Sequence, residues 1–163
     1  MNILILAAGT RNKVVQYFKK TFNEVGTIVA TDVSELSPAI YDADKYYIVP
    51  PITAYGYIDL LLDICKEEKI TGVLSLIDSE LSLLAANEDK FNAVGTTVIG
   101  SSFELCEIAL DKMKMYQWLV EHGYKCARSW IDKEKFYQSV KDGEVNYPVF
   151  VKYCKGICIH QYL

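Results

Sequence analysis

The feature that most restricts what this chain can fold into is a regular exchange, over residues 1–100, of short unbroken apolar runs for helical periods. Ile3 to Ala7 is apolar at every position, the pattern of a strand covered on both faces. Ala8-Gly9-Thr10 closes that strand with residues small enough for a tight turn. Asn12 to Phe22 then sets Val14, Val15, Tyr17, Phe18 and Phe22 at helical spacing and leaves Lys13, Lys19 and Lys20 for solvent. Gly26 precedes a second strand, Thr27 to Thr31, ended by Asp32, and Ser34 to Ala43 reads as a short irregular or helical connection. A third strand, Tyr46 to Val49, stops at Pro50-Pro51, which bring no N–H groups to a ladder.

The rhythm continues. Ala54 to Glu68 carries Ile58, Leu61, Leu62 and Cys65 at helical spacing, and Gly72 introduces a fourth strand, Val73 to Ile77. Asp78-Ser79 is expected to cap a helix over Glu80 to Phe91, and Gly95 to Ile99 supplies a fifth strand. Five strands joined by connections too long for hairpins imply an α/β fold, a Rossmann-like parallel sheet with helices on both faces and the expected order 3-2-1-4-5. Beyond Ser101 the pattern changes. Phe103 to Leu110 and Lys112 to His122 read as consecutive helices with Gly123 ending the second, and Cys126 to Ile131 as a short strand. Asp132 caps a helix to Val140, and Tyr147 to Lys152 is a last strand. The domain boundary is therefore expected at Gly100, between residues 1–100 and 101–163.

Composition narrows the function classes. With 163 residues, 51% of them apolar, the chain can bury a sizeable core. The 21 acidic against 17 basic residues, a net charge of -4 and the absence of any basic run disfavour nucleic acid as a partner. The N-terminal apolar stretch ends at Gly9, far short of the roughly 20 residues that span a bilayer, and lacks a cationic leader. A cytoplasmic location away from membranes is expected. The five cysteines, Cys65, Cys106, Cys126, Cys154 and Cys158, read as reduced thiols. Cys154, Cys158 and His160 lie close in sequence, but their spacing is not that of a zinc knuckle, and no metal site is expected.

In an open parallel sheet, ligands bind beyond the C-terminal strand ends where the strand order reverses, here between the first and fourth strands. That crevice would gather Gly9, Thr10, Arg11 and Asn12 from one turn and Asp78, Ser79 and Glu80 from the other. Arg11 and the free amides of the helix starting at Asn12 suit an anionic group, and Asp78 or Glu80 an amine or hydroxyl. A dinucleotide site needs further glycines, and positions 11 and 14 hold Arg11 and Val14. Asp32 does stand where a ribose-binding acid would, so a Rossmann-type nucleotide-binding oxidoreductase is one alternative reading. Leu6 to Arg11 also looks like the opening of sugar-nucleotide nucleotidyltransferases, but the additional glycine before the arginine is missing.

The later motifs carry more. A helix opens at Asp111-Lys112, runs through Met113, Met115, Tyr116 and Leu119, and ends in His122-Gly123-Tyr124. A strand, a helix and then Tyr147-Pro148-Val149-Phe150-Val151-Lys152 follow. In this order, after a five-stranded α/β domain, the set resembles the ATP-grasp superfamily, and most closely carbamoyl-phosphate-synthase large-subunit-like proteins. Leu76 to Leu81 would then be the fourth-strand turn of the preceding domain. The resemblance implies that Lys112 and Lys152 approach nucleotide phosphates, with ATP and magnesium as the family's cofactors. It further implies phosphorylation of a small-molecule carboxylate to an acyl phosphate, which an amine or other nucleophile attacks.

The departures are as specific. After the second lysine the family has a glycine-rich flap, whereas Tyr153-Cys154-Lys155-Gly156-Ile157-Cys158 offers one glycine. The second segment is therefore expected to be a truncated start of an ATP-grasp domain, the tail reading as the product of a truncated, frameshifted or split longer ancestor. No catalytic residue is assigned, no tight cofactor binding is expected, and the isolated chain is expected to be inactive. A missing C-terminal polypeptide or a second copy of the chain are the candidate partners. The other alternative is a non-catalytic binding or assembly module, with Val149 to Val151 as a sticky edge.

Overall fold

The computed structural model describes residues 1–22 and 25–155, and the backbone of 161–162. Cys158 and His160, and with them the question of a metal cluster near the end of the chain, lie outside the described residues. Two compact units divide the chain, Met1–Phe103 and Glu104–Leu163. Among the described residues no helix is long and apolar enough to cross a membrane.

The first unit is built on strands β1 (Ile3–Leu6), β2 (Ile28–Asp32), β3 (Lys45–Ile48), β4 (Gly72–Ser75) and β5 (Thr97–Val98). All pairings are parallel and the order is β3-β2-β1-β4-β5, as the sequence implies. Helices α1 (Asn12–Phe22), α2 (Tyr57–Glu67), α3 (Asp78–Ala86) and α4 (Glu88–Ala93) cover it, with a turn of 3-10 helix at Pro38–Asp42. The unbroken apolar runs are explained by burial on both faces. Leu4, Leu6, Val29 and Val73 pack with Tyr57, Leu61, Leu84 and Phe91 on one side. Ile3, Ile5, Ile28, Ala30 and Leu74 pack with Val15, Ala39 and Ile40 on the other. Leu4, Ile5 and Leu6 have no exposed surface. Removing each such side chain from water stabilises the fold by roughly 1.5–3 kcal/mol.

Several boundaries differ from those read in the sequence. The helix expected over Glu80 to Phe91 is broken at Asn87, whose side chain donates to the Leu83 carbonyl at 2.9 Å and competes with the helical ladder. Asp78 and Ser79 do not cap. Ile77 holds the N-cap position without a side-chain bond, and Asp78 is the first helical residue. The fifth strand shrinks to two residues because Gly95 is still in a left-handed turn at φ +79°.

The second unit contains all but the first residue of α5 (Phe103–Leu110), then α6 (Lys112–Glu121), α7 (Lys133–Lys141) and an antiparallel pair, β6 (Phe150–Val151) with β7 (Gln161–Tyr162). Asp111 caps α6 by accepting from the Met113 and Lys114 amides at 3.0 and 3.2 Å. Asp132 does the same for α7 with Glu134 and Lys135 at 2.9 and 3.2 Å, and Gly123 ends α6 at φ +74°. Trp118 stacks on His122 at 4.0 Å, and Phe136 meets Trp130 and Tyr147 edge-on. Cys126 to Ile131 is not a strand: the segment is mostly exposed and has no ladder partner among the described residues. The last strand likewise covers Phe150–Val151 rather than Tyr147 to Lys152, since Pro148 brings no N–H to a ladder. Of the described side chains in this unit, Cys106 alone is buried.

Candidate functional site

In the first unit the chain leaves β1 at the reversal of strand order through a strained turn. Ala7 and Gly9 both take left-handed backbone angles, φ +47° and +55°. For alanine this conformation costs roughly 1–2 kcal/mol, so the surrounding bonds must hold it. Asp32, at the end of β2, accepts the Gly9 amide at 2.7 Å and the Ser34 amide at 3.2 Å, and the Gly9 carbonyl accepts from the Ala39 amide at 3.1 Å. Burial pushes the Asp32 carboxyl up, but the Ser37 hydroxyl and the Gly9, Ser34 and Val33 amides outweigh it and hold the group below the usual carboxylate range. The acid at the position of a ribose-binding residue is thus committed to the backbone amides of Gly9 and Ser34.

Arg11 is exposed and folds back over the turn, its Nη1 donating to the Ala7 carbonyl at 3.3 Å. A Cβ on Gly9 would lie 3.2 Å from that nitrogen, so the glycine makes room for the guanidinium. Thr10 is exposed beside it. Asn12, at the start of α1, donates to Asp42 at 2.6 Å and fixes the helix N-terminus against the 3-10 turn. On the β4 side, Asp78 is exposed and makes no capping bond.

Glu80 has a different setting. It is fully buried, its carboxylate accepting from the Tyr57 hydroxyl and, at 2.5 Å, from the Ser75 hydroxyl. Ser75 Oγ also accepts the Ile77 amide at 3.1 Å. Burial first, and then the Glu80 carboxylate, raise the Tyr57 phenol far above its ordinary value. Glu80 therefore ties α2, α3 and the end of β4 together and presents no surface to a ligand. Neither Tyr57 nor Ser75 stands out in the sequence, where one is a helical aromatic and the other a strand-end serine.

In the second unit the two expected phosphate-binding lysines sit on segments that touch. The Lys112 amide donates to the Cys154 carbonyl at 2.8 Å, which holds the start of α6 against the residues that follow Lys152. Asp111 lies below the ordinary carboxylate range, first because the Lys114 amide binds it, with Lys155 adding a favourable charge. Lys152 and Lys155 are exposed. Cationic charge on this corner fits phosphate oxygens. Among the described residues no three or more acidic, histidine or cysteine side chains are grouped to hold a metal ion.

The family described as PylC-like, N-terminal domain matches residues 3–99. The chain belongs to that family. This PylC-like chain is 27% identical over 135 residues to the carbamoyl phosphate synthase arginine-specific large chain of Bacillus subtilis, covering 81% of itself and 12% of that protein. Its fold is that of N5-carboxyaminoimidazole ribonucleotide synthetase from Thermotoga maritima, with a TM-score of 0.65, 19% identity, and coverage of 98% of this chain and 40% of that one. The biotin carboxylase domain of Hydrogenobacter thermophilus 2-oxoglutarate carboxylase, solved with MgADP, ADP and bicarbonate, shares it at a TM-score of 0.59 and 20% identity, covering 95% of this chain and 35% of that one. The resemblance to ATP-grasp ligases read from Asp111-Lys112 and the Tyr147–Lys152 motif is borne out. The PylC-like chain spans about one-eighth of the curated synthase it matches and less than half of these enzymes.

Proposed function

We propose that this chain is the N-terminal portion of an ATP-dependent carboxylate–amine ligase of the carbamoyl-phosphate-synthase kind, and that alone it does not turn over. In this reading the Gly9-Thr10-Arg11 turn holds an anionic group of the substrate, through the guanidinium and the amides at the start of α1. Asp78, exposed and uncommitted to a cap, recognises an amine or hydroxyl. Glu80 acts from beneath, positioning Ser75 and Tyr57. Lys112 and Lys152 meet the phosphates of ATP, whose transfer to a carboxylate would give the acyl phosphate characteristic of such ligases. The observation that carries the reading is the Lys112 amide bound to the Cys154 carbonyl at 2.8 Å, which brings the Asp-Lys helix start and the lysine-bearing strand end to one corner.

The test is calorimetric titration of the full chain with ATP, and ADP release with magnesium and a panel of amino acids. ATP is expected to bind weakly, and Lys152→Ala to weaken it by roughly 10-fold or more, the loss of one charge-assisted contact. No ADP is expected. Turnover abolished by Lys152→Ala would overturn the inactive reading, and ATP binding indifferent to both lysines would overturn the nucleotide assignment.

A further inference from the structure

The parallel sheet of the first unit ends on two unlike edges. β5 has two residues, whereas β3 has four and pairs only with β2 among the described residues. Val49, just past β3, gives its amide to the Asp32 carbonyl at 2.9 Å. By alternation the backbone of Lys45 and Tyr47 also faces β2, and the amides and carbonyls of Tyr46 and Ile48 face the open edge. Such edges are commonly guarded by a bare charge. Here the strand's one charged residue, Lys45, is neutralised by Glu68 at 2.7 Å.

The surface beside this edge is apolar and continuous. Tyr47 packs with Tyr57 and Leu61 of α2, so Tyr46 and Ile48 turn to the opposite face. Tyr46 meets Tyr41 edge-on at 5.3 Å, and the Tyr41 hydroxyl donates to the Glu35 carbonyl at 2.8 Å, beside Leu36. Ile48 stands in register with Asp32, the residue before Val33. Val33, Leu36, Tyr41, Tyr46 and Ile48 each leave between 41% and 90% of their surface exposed. At the roughly 150–250 Å² that an aromatic side chain offers, and less for an aliphatic one, the five present on the order of 500 Å². A standard interface takes about 800 Å² from each partner, about 60% of it apolar, so the patch matches the apolar area that a stable dimer needs.

We infer that β3 is a self-association edge: two copies of this chain pair antiparallel about a two-fold axis at Tyr47, so that their five-stranded sheets become one. Tyr46 then exchanges both outward backbone hydrogen bonds with the second copy's Ile48, and Ile48 with the second copy's Tyr46. The same axis sets the Tyr46 ring beside an isoleucine, a pairing that stabilises neighbouring strands, and lays the Tyr41 end of one patch toward the Val33 end of the other. Because the strand meets itself, the contact closes at two copies.

The experiment is sedimentation velocity of the full chain over a concentration series, where a concentration-dependent dimer is expected. Leu36→Glu and Tyr46→Lys should each weaken it by about 10-fold or more. Their thermal melts, taken at a dilution where the parent is monomeric, should match the parent's. Chains carrying Tyr46→Cys and chains carrying Ile48→Cys, mixed and oxidised, should give a disulfide-linked dimer bridged between positions 46 and 48 in peptide mass spectrometry, and neither variant alone should link through its introduced thiol. A chain that is monomeric throughout would overturn the inference. So would a dimer kept in Leu36→Glu and Tyr46→Lys and lost in Val151→Lys, or linkage of either cysteine variant with itself at the introduced thiol.

Discussion

Asp32 accepts the backbone amide of Gly9 at 2.7 Å, so the acid at the end of β2 holds the turn that carries Arg11. Its carboxyl is held below the usual carboxylate range, against the effect of burial, by the Ser37 hydroxyl and three backbone amides. A depressed folded value means that the ionised form stabilises the fold. That contribution is present above the unfolded value of about 3.9 and is lost as pH falls through the lower folded value. Thermal melts are expected to be flat with respect to this group above about pH 5 and to drop below about pH 4. Asp32→Asn should lower the neutral-pH melt and flatten the acid limb. An acid limb as steep in the variant as in the parent would show that the bond to Gly9 contributes no pH-dependent stability.

Tyr57 and Glu80 form a second carboxylate bond, more deeply buried than the first. Tyr57→Phe removes one of two hydroxyl donors from a carboxylate with no exposure, and an unpaired buried acceptor of this kind costs roughly 1–3 kcal/mol or more. Denaturant unfolding should therefore show a clear loss for Tyr57→Phe. Combining it with Glu80→Leu should cost less than the sum of the two single changes, because each single change strands the other partner. Strict additivity would mean that the two side chains are not coupled.

The sheet and its order were legible because both faces of β1, β2 and β4 are covered, which writes unbroken apolar runs into the sequence. Asp132 was legible as a cap because its oxygen stands two or three residues from free amides, and Asp111, read only as opening a helix, caps α6 in the same way. What the sequence hid was competition between local and tertiary partners. Asn87 breaks a continuous helical period by bonding Leu83, and Asp78 stands at a cap-like position that Ile77 occupies instead. Glu80 shows the same limit at the candidate site. Its neighbour Asp78 is exposed while Glu80 is fully buried, and the Tyr57 and Ser75 hydroxyls, which come from other elements, commit the buried acid to the fold.

Gly26 tests how tightly the start of the chain is held. A Cβ there would overlap the Met1 carbonyl oxygen and lie 2.9 Å from its carbon. The neighbouring Asn2 cannot easily move aside, since its side chain binds the Thr27 amide and the Glu68 carbonyl at 3.1 and 2.7 Å. Gly26→Ala should destabilise by about 1–3 kcal/mol in denaturant unfolding, the usual range for overpacking. Gly100→Ala is the matched control, because its Cβ would meet only Leu81 Cδ2 at an ordinary 3.7 Å. Equal, small effects at both positions would mean that the first residue yields freely.

Thr31 offers the opposite sign. Its Oγ1 is the one buried side-chain oxygen or nitrogen without a hydrogen-bond partner among the described residues, and the residue has no exposed surface. A hydroxyl stripped of water and given nothing in return costs free energy, whereas a methyl of nearly the same shape does not. Thr31 also lies in β2, opposite Tyr47 of β3, where a β-branched side chain suits the strand equally well. Thr31→Val should therefore raise stability by about 1 kcal/mol, read as a higher denaturant midpoint with unchanged slope. A lower midpoint would mean that the hydroxyl has a partner in solution, such as a buried water, and that β2 carries a polar contact near its C-terminal end.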